Sequence, residues 1–598
     1  MIQDHNTNNE KTSGEELGLK VALVHAAICW KDKDKNIAKL LTLNEEAARS
    51  GSRIIVNTEL ATTGYAFESR REIAALTESI PGPTTRAFGR IARVYGCYIC
   101  IGLPERDART GIFYNSVALI GPSGRVVARY RKASPAFKEN LWAAKGNLPV
   151  PAVQTEFGAL GMVICADSYS YRPARIAALQ GAGLLLVPAN WPPEHHNPEK
   201  FWRARALENG MYILACNRTG MDRIMDCNHA ESFIIDPQGR AIKQISSPDD
   251  IIIYGALPLN SGVISSTTDG WDTTGDTAVE TARKTPQNIL SYRRPQCYGN
   301  ITLDPYSYIN VELLLGLPQA ADFAAATLQF HSKSMDRAAN VLSMLQLIDH
   351  AEAKAAENQQ KLNLAVLPEL STSGPIFDLG EAETQSEVIP GKITDIFARK
   401  AREKDLFIVF GVAERDERDE KAFYNSSVLI GSDGFVGKYR KVHLSSHDRN
   451  WAIPGDCGFA AFDLRFARMG MLIGHDLMFP EAADSLAKLG SDMLCVPALW
   501  ENASSKFIWE ARLGEQMHLA IANQWGNFGR LQALGESLMC NYSRYPEKIS
   551  RLWSPSKEDA INIMRLGTKD AREKRFLENI DYGVLLNLKS PARSSMEK

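Results

Sequence analysis

Along this chain, short apolar runs alternate with stretches whose apolar residues recur every three or four positions. KVALVHAAI, RIIVNTEL and CYICIGLP read as strands, whereas DKDKNIAKLLTLNEEAARSG and TTRAFGRIARVYG carry the spacing of amphipathic helices. Further on, GALGMVIC reads as a strand, PARIAALQGAG as a helix and LLLVPAN as another strand. YNSVALIGPSGRVVARYRK places two strand-like runs around a Gly-Pro-Ser-Gly turn and reads as a hairpin. Strands alternating with helices predict a layered α/β sandwich.

The pattern then returns. NTELATTGY around Glu59 reappears as LPELSTSGP around Glu369, and FYNSVALIGPSGRVVARYRK as FYNSSVLIGSDGFVGKYRK. GALGMVICADSYSYRPARIAALQGAGLLLVPANW matches FARMGMLIGHDLMFPEAADSLAKLGSDMLCVPALW, and WRARALENGMYILACNRTG matches WEARLGEQMHLAIANQWG. The order is kept throughout, so the chain is a duplicated domain. The first copy spans residues 19–259 and the second 322–588. They follow an N-terminal tail (1–18), are joined by a linker (260–321) and precede a short C-terminal tail (589–598). The linker expectation rests on NSGVISSTTDGWDTTGDTAVETARKTPQ, which is poor in residues able to build a core, with the stretch to Gln319 extending it.

With 598 residues, two or more cores are required in any case. A formal charge of −2 offers no electrostatic footprint for nucleic acid. No run approaches the roughly 18–20 apolar residues of a membrane span, and the polar N-terminus lacks a signal-peptide core, so a cytoplasmic location is expected. Ten thinly spread cysteines suit free thiols better than a disulfide framework. Cys97 and Cys100 form a CYIC pair with no second pair at zinc-ribbon spacing, so they read as buried strand positions and no metal site is expected.

Candidate chemistry sits at strand ends, where α/β folds place their sites. Cys165 closes GMVIC, Glu59 closes RIIVNTE, Lys132 follows the hairpin in RYRKAS, and Glu139 lies seven residues further on. Taken singly, each has an ordinary reading as a buried thiol, a loop carboxylate or a surface charge. Taken together, the order E…YRK…C in these contexts resembles the nitrilase, or carbon–nitrogen hydrolase, superfamily. The resemblance runs over both copies and extends to WRARALEN, CNRTG and ESFIIDPQG. It implies two tandem αββα sandwiches and a Glu-Lys-Cys triad. In it Cys165 is the nucleophile, Glu59 the general base, Lys132 the oxyanion stabiliser and Glu139 a supporting acid. A thiol is only a few per cent ionised at neutral pH, so a base must take its proton as it attacks. Neither a metal nor an organic cofactor is implied.

In the second copy Gly474 stands opposite Cys165 and His475 opposite Ala166, while Glu369, Lys441 and Asp448 persist. That copy is expected to be catalytically dead and to act as a covalently joined partner, making the chain a pseudo-dimer; further homo-oligomerisation is left open. Cys165-Ala166-Asp167 favours a small amide or N-carbamoyl substrate, whereas the spacing of Glu139 and Trp142 resembles nitrilases, and both remain open. A non-catalytic scaffold is the remaining alternative. Tyr65, Trp142, Ala166, Tyr169, Trp191 and His195 are candidate pocket residues, and Arg172 a candidate for binding a substrate carboxylate.

Overall fold

The computed structural model describes residues 18–193, 197–223, 225–264, 289–501, 503 and 505–587. In the first copy the strands are β1 (Leu19–His25), β2 (Ile54–Asn57), β3 (Tyr98–Arg106), β4 (Phe113–Ile120), β5 (Val126–Arg131), β6 (Ala152–Thr155), β7 (Gly158–Met162), β8 (Ala182–Pro188), β9 (Tyr212–Cys216), β10 (Ser232–Ile235), β11 (Ala241–Ile245) and β12 (Ile251–Leu257). They form two six-stranded sheets, ordered β12-β1-β2-β3-β4-β5 and β11-β10-β9-β8-β7-β6. β1, β2 and β3 run parallel, as do β7, β8 and β9, and the flanking strands are antiparallel.

The two-residue period of β1 serves both faces of its sheet. Val21 and Leu23 pack with Leu160, Met162, Leu184 and Leu186 between the sheets. Ala22 and Val24 face the helices α1 (Lys33–Arg49) and α2 (Pro83–Tyr95), meeting Leu40 and Phe88. Asp32 caps α1 by accepting from the Lys35 amide at 3.1 Å, and α2 opens on Pro83 and closes on Gly96 at φ 64°. On the other sheet lie α3 (Tyr171–Leu179) and α4 (Glu199–Asn209). The result is an αββα sandwich.

The second copy repeats it. Strand Asp322–Gln329 pairs in parallel with Leu362–Val366, and that with Phe407–Arg415. The second sheet holds Arg468–Met471, Met493–Ala498 and His518–Asn523, also parallel. Helices α5 (Pro480–Lys488) and α6 (Ser505–Ala511) occupy the places of α3 and α4. The two sandwiches meet through these helix layers: α4 packs on α6, and Tyr171, Ile176, Ala204 and Leu207 share one core with Leu486, Ile508, Ala511 and Leu513.

The tails and residues 265–288 of the expected linker fall outside the described residues, apart from Gly18. The stretch to Gln319, expected to extend that linker, instead folds into short helical turns from Ile289 to Leu315. Ile289, Tyr298 and Ile301 are buried in the second copy's core, and the Tyr298 hydroxyl lies 2.8 Å from His443 Nε2. Turns this short have no periodicity for a sequence reading to detect. All ten cysteines are free, and no helix among the described residues is long and apolar enough to cross a membrane. Because Ile301 is fully buried, Ile301→Ala is expected to lower stability by about 2–5 kcal/mol in urea titration; a loss below about 0.5 kcal/mol, the size typical of surface substitutions, would show that this segment is a mere tether.

Candidate active site

Three strand ends converge in the first copy. Glu59 follows β2, Lys132 follows β5, and beyond β7 the chain enters a short 3-10 turn, Cys165–Tyr169. Gly102 on β3 lies directly under the Glu59 turn. A Cβ there would stand 2.7 Å from both the Leu60 nitrogen and the Thr58 oxygen, so glycine alone lets the turn rest on the sheet.

Lys132 Nζ donates to Glu59 Oε1 at 2.6 Å and to Glu139 Oε2 at 2.6 Å, with all three side chains buried. Asn115 Nδ2 bridges the same carboxylates, donating to Glu59 Oε1 at 2.7 Å and to Glu139 Oε1. Asn190 joins this cluster to the thiol. Its backbone amide donates to Glu59 Oε2 at 2.9 Å and its side-chain amide to the Glu59 carbonyl at 2.6 Å, while its own carbonyl oxygen lies 3.8 Å from Cys165 Sγ. Arg218 Nε in turn donates to Asn190 Oδ1 at 2.5 Å.

Cys165 is held at φ 45°, the left-handed region, which costs a residue with a Cβ on the order of 1–3 kcal/mol. Its turn is pinned by Asp167, which accepts from the Ser134 amide at 2.8 Å and the Ile164 amide at 3.2 Å, and by Ser168, whose hydroxyl donates to the Cys165 carbonyl at 2.6 Å.

Two carboxylates share one ammonium, and the electrostatics follow. Burial raises the pKa of Glu59, with Lys132 opposing and Glu139 reinforcing the rise. Burial works against the charge on Lys132, but Glu139 and Glu59 outweigh it and hold the ammonium well above the usual lysine range. Burial and the Glu59 charge push the Cys165 thiol well up, against the pull of Lys132. Burial lifts Asp167 to about 6.

A cavity of about 380 Å³ opens beside Cys165. Of the expected pocket residues, Tyr65, Ala166, Tyr169 and Trp191 line it, joined by Phe137, Met225 and Asp226. Trp142 is not in that wall: it is buried behind it, edge-on to Phe67 at 6.2 Å between ring centres. Arg172 is also a correction. It points away from the cavity and pairs with Asp484 of the second copy at 2.5 Å, since the second position of α3 faces the other sandwich. His195 lies outside the described residues. Asn115, Asn190 and Gly102 escaped the sequence reading, although VPANW becoming VPALW in the copy without the thiol was a visible signal for Asn190.

The second copy keeps the charged cluster. Lys441 Nζ donates to Glu369 Oε1 and Asp448 Oδ2, both at 2.6 Å, and Asn425 bridges the two acids. Gly474, at φ 32°, occupies the nucleophile position, and a Cβ there would stand 2.4 Å from Glu369 Oε2. That buried oxygen has no hydrogen-bond partner, and burial lifts Glu369 to about 7. His475, opposite Ala166, lies in the 3-10 turn Gly474–Met478 and packs edge-on to Phe479.

The carbon–nitrogen hydrolase family model matches residues 20–262 and 324–542. A protein of Pyrococcus abyssi named nitrilase is 32% identical over 242 residues, covering 40% of this chain and 90% of its own length. The omega-amidase NIT2 of Homo sapiens is 27% identical over 241 residues, covering 38% of this chain and 84% of its own. Among solved structures, an amidase from Nesterenkonia sp. is 21% identical with a TM-score of 0.36, over 42% of this chain and 94% of that one.

Asn190→Leu, which installs the second copy's residue, removes the buried acceptor of Arg218 Nε and the side-chain donor to the Glu59 carbonyl. It is expected to cost about 1–3 kcal/mol in urea titration; unchanged stability would show that Asn190 does not hold the turn.

Proposed function

The chain belongs to the carbon–nitrogen hydrolase family, and from that premise we propose that its first copy cleaves the carbon–nitrogen bond of a small linear amide through a thioester on Cys165. The observation that carries this reading is the buried Lys132 ammonium held between Glu59 and Glu139 beside a thiol on strained backbone. As the sulfur attacks the carbonyl carbon, its proton passes to Glu59, and the oxyanion is held by Lys132 and the Ala166 amide. Losing one such donor typically costs about 10²–10³ in turnover. Glu59 then protonates the nitrogen, the carbon–nitrogen bond breaks and ammonia or an amine leaves. Water enters, gives a proton to Glu59 and attacks the thioester; the carbon–sulfur bond breaks, and the thiol recovers its proton. Glu139 acts by fixing Lys132. Attack on the carbonyl lowers the affinity of the sulfur for its proton, and the raised basicity of Glu59 makes it a better acceptor for that proton.

The second copy lacks a thiol at this position and serves as the structural partner. A nitrile substrate is the second reading. Its sequence cue was the spacing of Glu139 and Trp142; Trp142 packs behind the cavity and offers a nitrile no contact there.

The wall also bears on substrate class. Tyr65, Phe137, Tyr169 and Trp191 give it an aromatic lining, Asp226 is its charged side chain, and the described wall residues include no Lys, Arg or His. Arg172, the expected carboxylate binder, is engaged by Asp484. An amide whose remainder is neutral or cationic and apolar in body suits this wall better than one bearing a free carboxylate.

The test is ammonia release from uncharged aryl- and alkyl-acetamides, carboxylate-bearing ω-amides, carbamoyl amides and nitriles, with intact-mass detection of an acyl adduct. We expect kcat/KM at least about tenfold higher for the uncharged amides than for carboxylate-bearing ones, and an adduct on Cys165 that disappears with activity in Cys165→Ala. Activity surviving in Cys165→Ala would sink the mechanism, whereas preference for the anionic amides would overturn only the substrate class. Because the base must be ionised, kcat/KM should rise with pH through a value above the usual glutamate range, its acid limb set by the raised pKa of Glu59. An acid limb at an ordinary glutamate value would remove Glu59 from that role.

A further inference from the structure

Helices α3 and α5 occupy the same place in their respective copies. Each has nine residues and follows a five-residue 3-10 turn, so Arg172 and Glu481 are both second positions, and Arg175 and Asp484 both fifth positions. The contact crosses them. Second-position Arg172 meets fifth-position Asp484 at 2.5 Å, and fifth-position Arg175 meets second-position Glu481 at 3.1 Å. This is the pattern of a two-fold interface, in which residue i meets residue j and j meets i. All four side chains are buried. Tyr171 adds a hydrogen bond to Asp484 at 2.7 Å, and Arg293, from the segment joining the copies, adds an ion pair to Glu481 at 2.9 Å.

The charges are not symmetric. The first copy carries arginine at both positions and the second an acid at both. By the same geometry, two first copies would bring four guanidinium groups together in a buried contact, and two second copies four carboxylates. Only a first copy against a second matches every charge. On the neighbouring helices Arg205 and Glu208 of α4 correspond to Arg512 and Glu515, and Glu208 accepts from both Arg205 and Arg512; one position there also diverges, Glu510 standing opposite Arg203 and pairing with Lys200 of the first copy at 2.6 Å. The Arg205/Arg512 and Glu208/Glu515 positions carry the same residues in both copies and so do not by themselves distinguish one pairing from another.

We propose that the second and fifth positions of α3 and α5 form a charge code that makes the acidic second copy the dedicated partner of the first copy's helix face and rejects pairing between like copies. Specificity is a difference between affinities, and buried like charges supply the unfavourable side of that difference. The interface thus fits one kind of partner, a charge-reversed copy of the same sandwich, and this goes beyond the proposed chemistry.

A charge-exchange cycle in the full chain tests the code. Arg172→Glu gives the first copy the second's residue type, so each acid of that pair faces an acid. Asp484→Arg does the converse, placing an arginine against Arg172. Each single variant is expected to lower Tm by roughly 10 °C or to fail to fold, and R172E/D484R, which restores opposite charges with the signs exchanged, to regain at least half of that loss. Single variants as stable as the parent, or a double variant no better than the worse single, would overturn the proposal. Singles that do not fold leave it decidable, because the double is then expected to fold and its failure would count against the code.

Discussion

A buried ammonium must be neutralised where it stands, and the first copy meets that demand twice over. Lys132 is flanked by Glu59 and Glu139, so with all three ionised the cluster holds one negative charge in surplus. Burial makes Glu59 reluctant to stay ionised and Cys165 reluctant to become so, and the neighbouring carboxylate charge adds to each effect against the pull of Lys132. The scaffold around these groups (Asn115, Asn190, Gly102 and the Asp167 clamp) holds the charged trio in register. Strand ends supply these groups because there a side chain can leave a sheet whose two faces are already filled with apolar residues.

The same constraint explains what the duplication kept. In the second copy the cysteine has become Gly474, yet Glu369, Lys441 and Asp448 remain in equivalent contacts. Replacing a thiol with glycine removes no charge and relieves a left-handed backbone. Removing the lysine would strand two buried carboxylates, commonly at about 3–5 kcal/mol. The charged trio therefore persists as structure even where the nucleophile has gone.

How much of this was legible in the sequence follows from what each feature depends on. The sandwich and its duplication were written in periodicity and repeated strings, whereas the residues of the charged cluster, ordinary when taken singly, were singled out by their joint order and its resemblance to the family. Asn190 was not legible because an asparagine in VPANW looks like an ordinary loop start until its three contacts with Glu59 and Cys165 are visible. Gly102 acts through a close backbone approach that leaves no pattern. Arg172 was misread because nearness to Cys165 along the chain says nothing about direction: it lies on the helix face turned toward the other sandwich.

Joining the two sandwiches in one polypeptide alters how this interface can change. In an assembly of identical subunits every substitution arrives twice, once on each side of the two-fold axis, so a reversal of charge meets itself. Here each helix face is encoded separately. An arginine could arise on α3 while its counterpart on α5 turned acidic, a route closed to a symmetric pair. Fusion also fixes the ratio of the Cys165 copy to the Gly474 copy at one to one and makes their contact independent of dilution. The chain has exchanged the economy of a repeated gene product for the freedom to let its two halves become unlike.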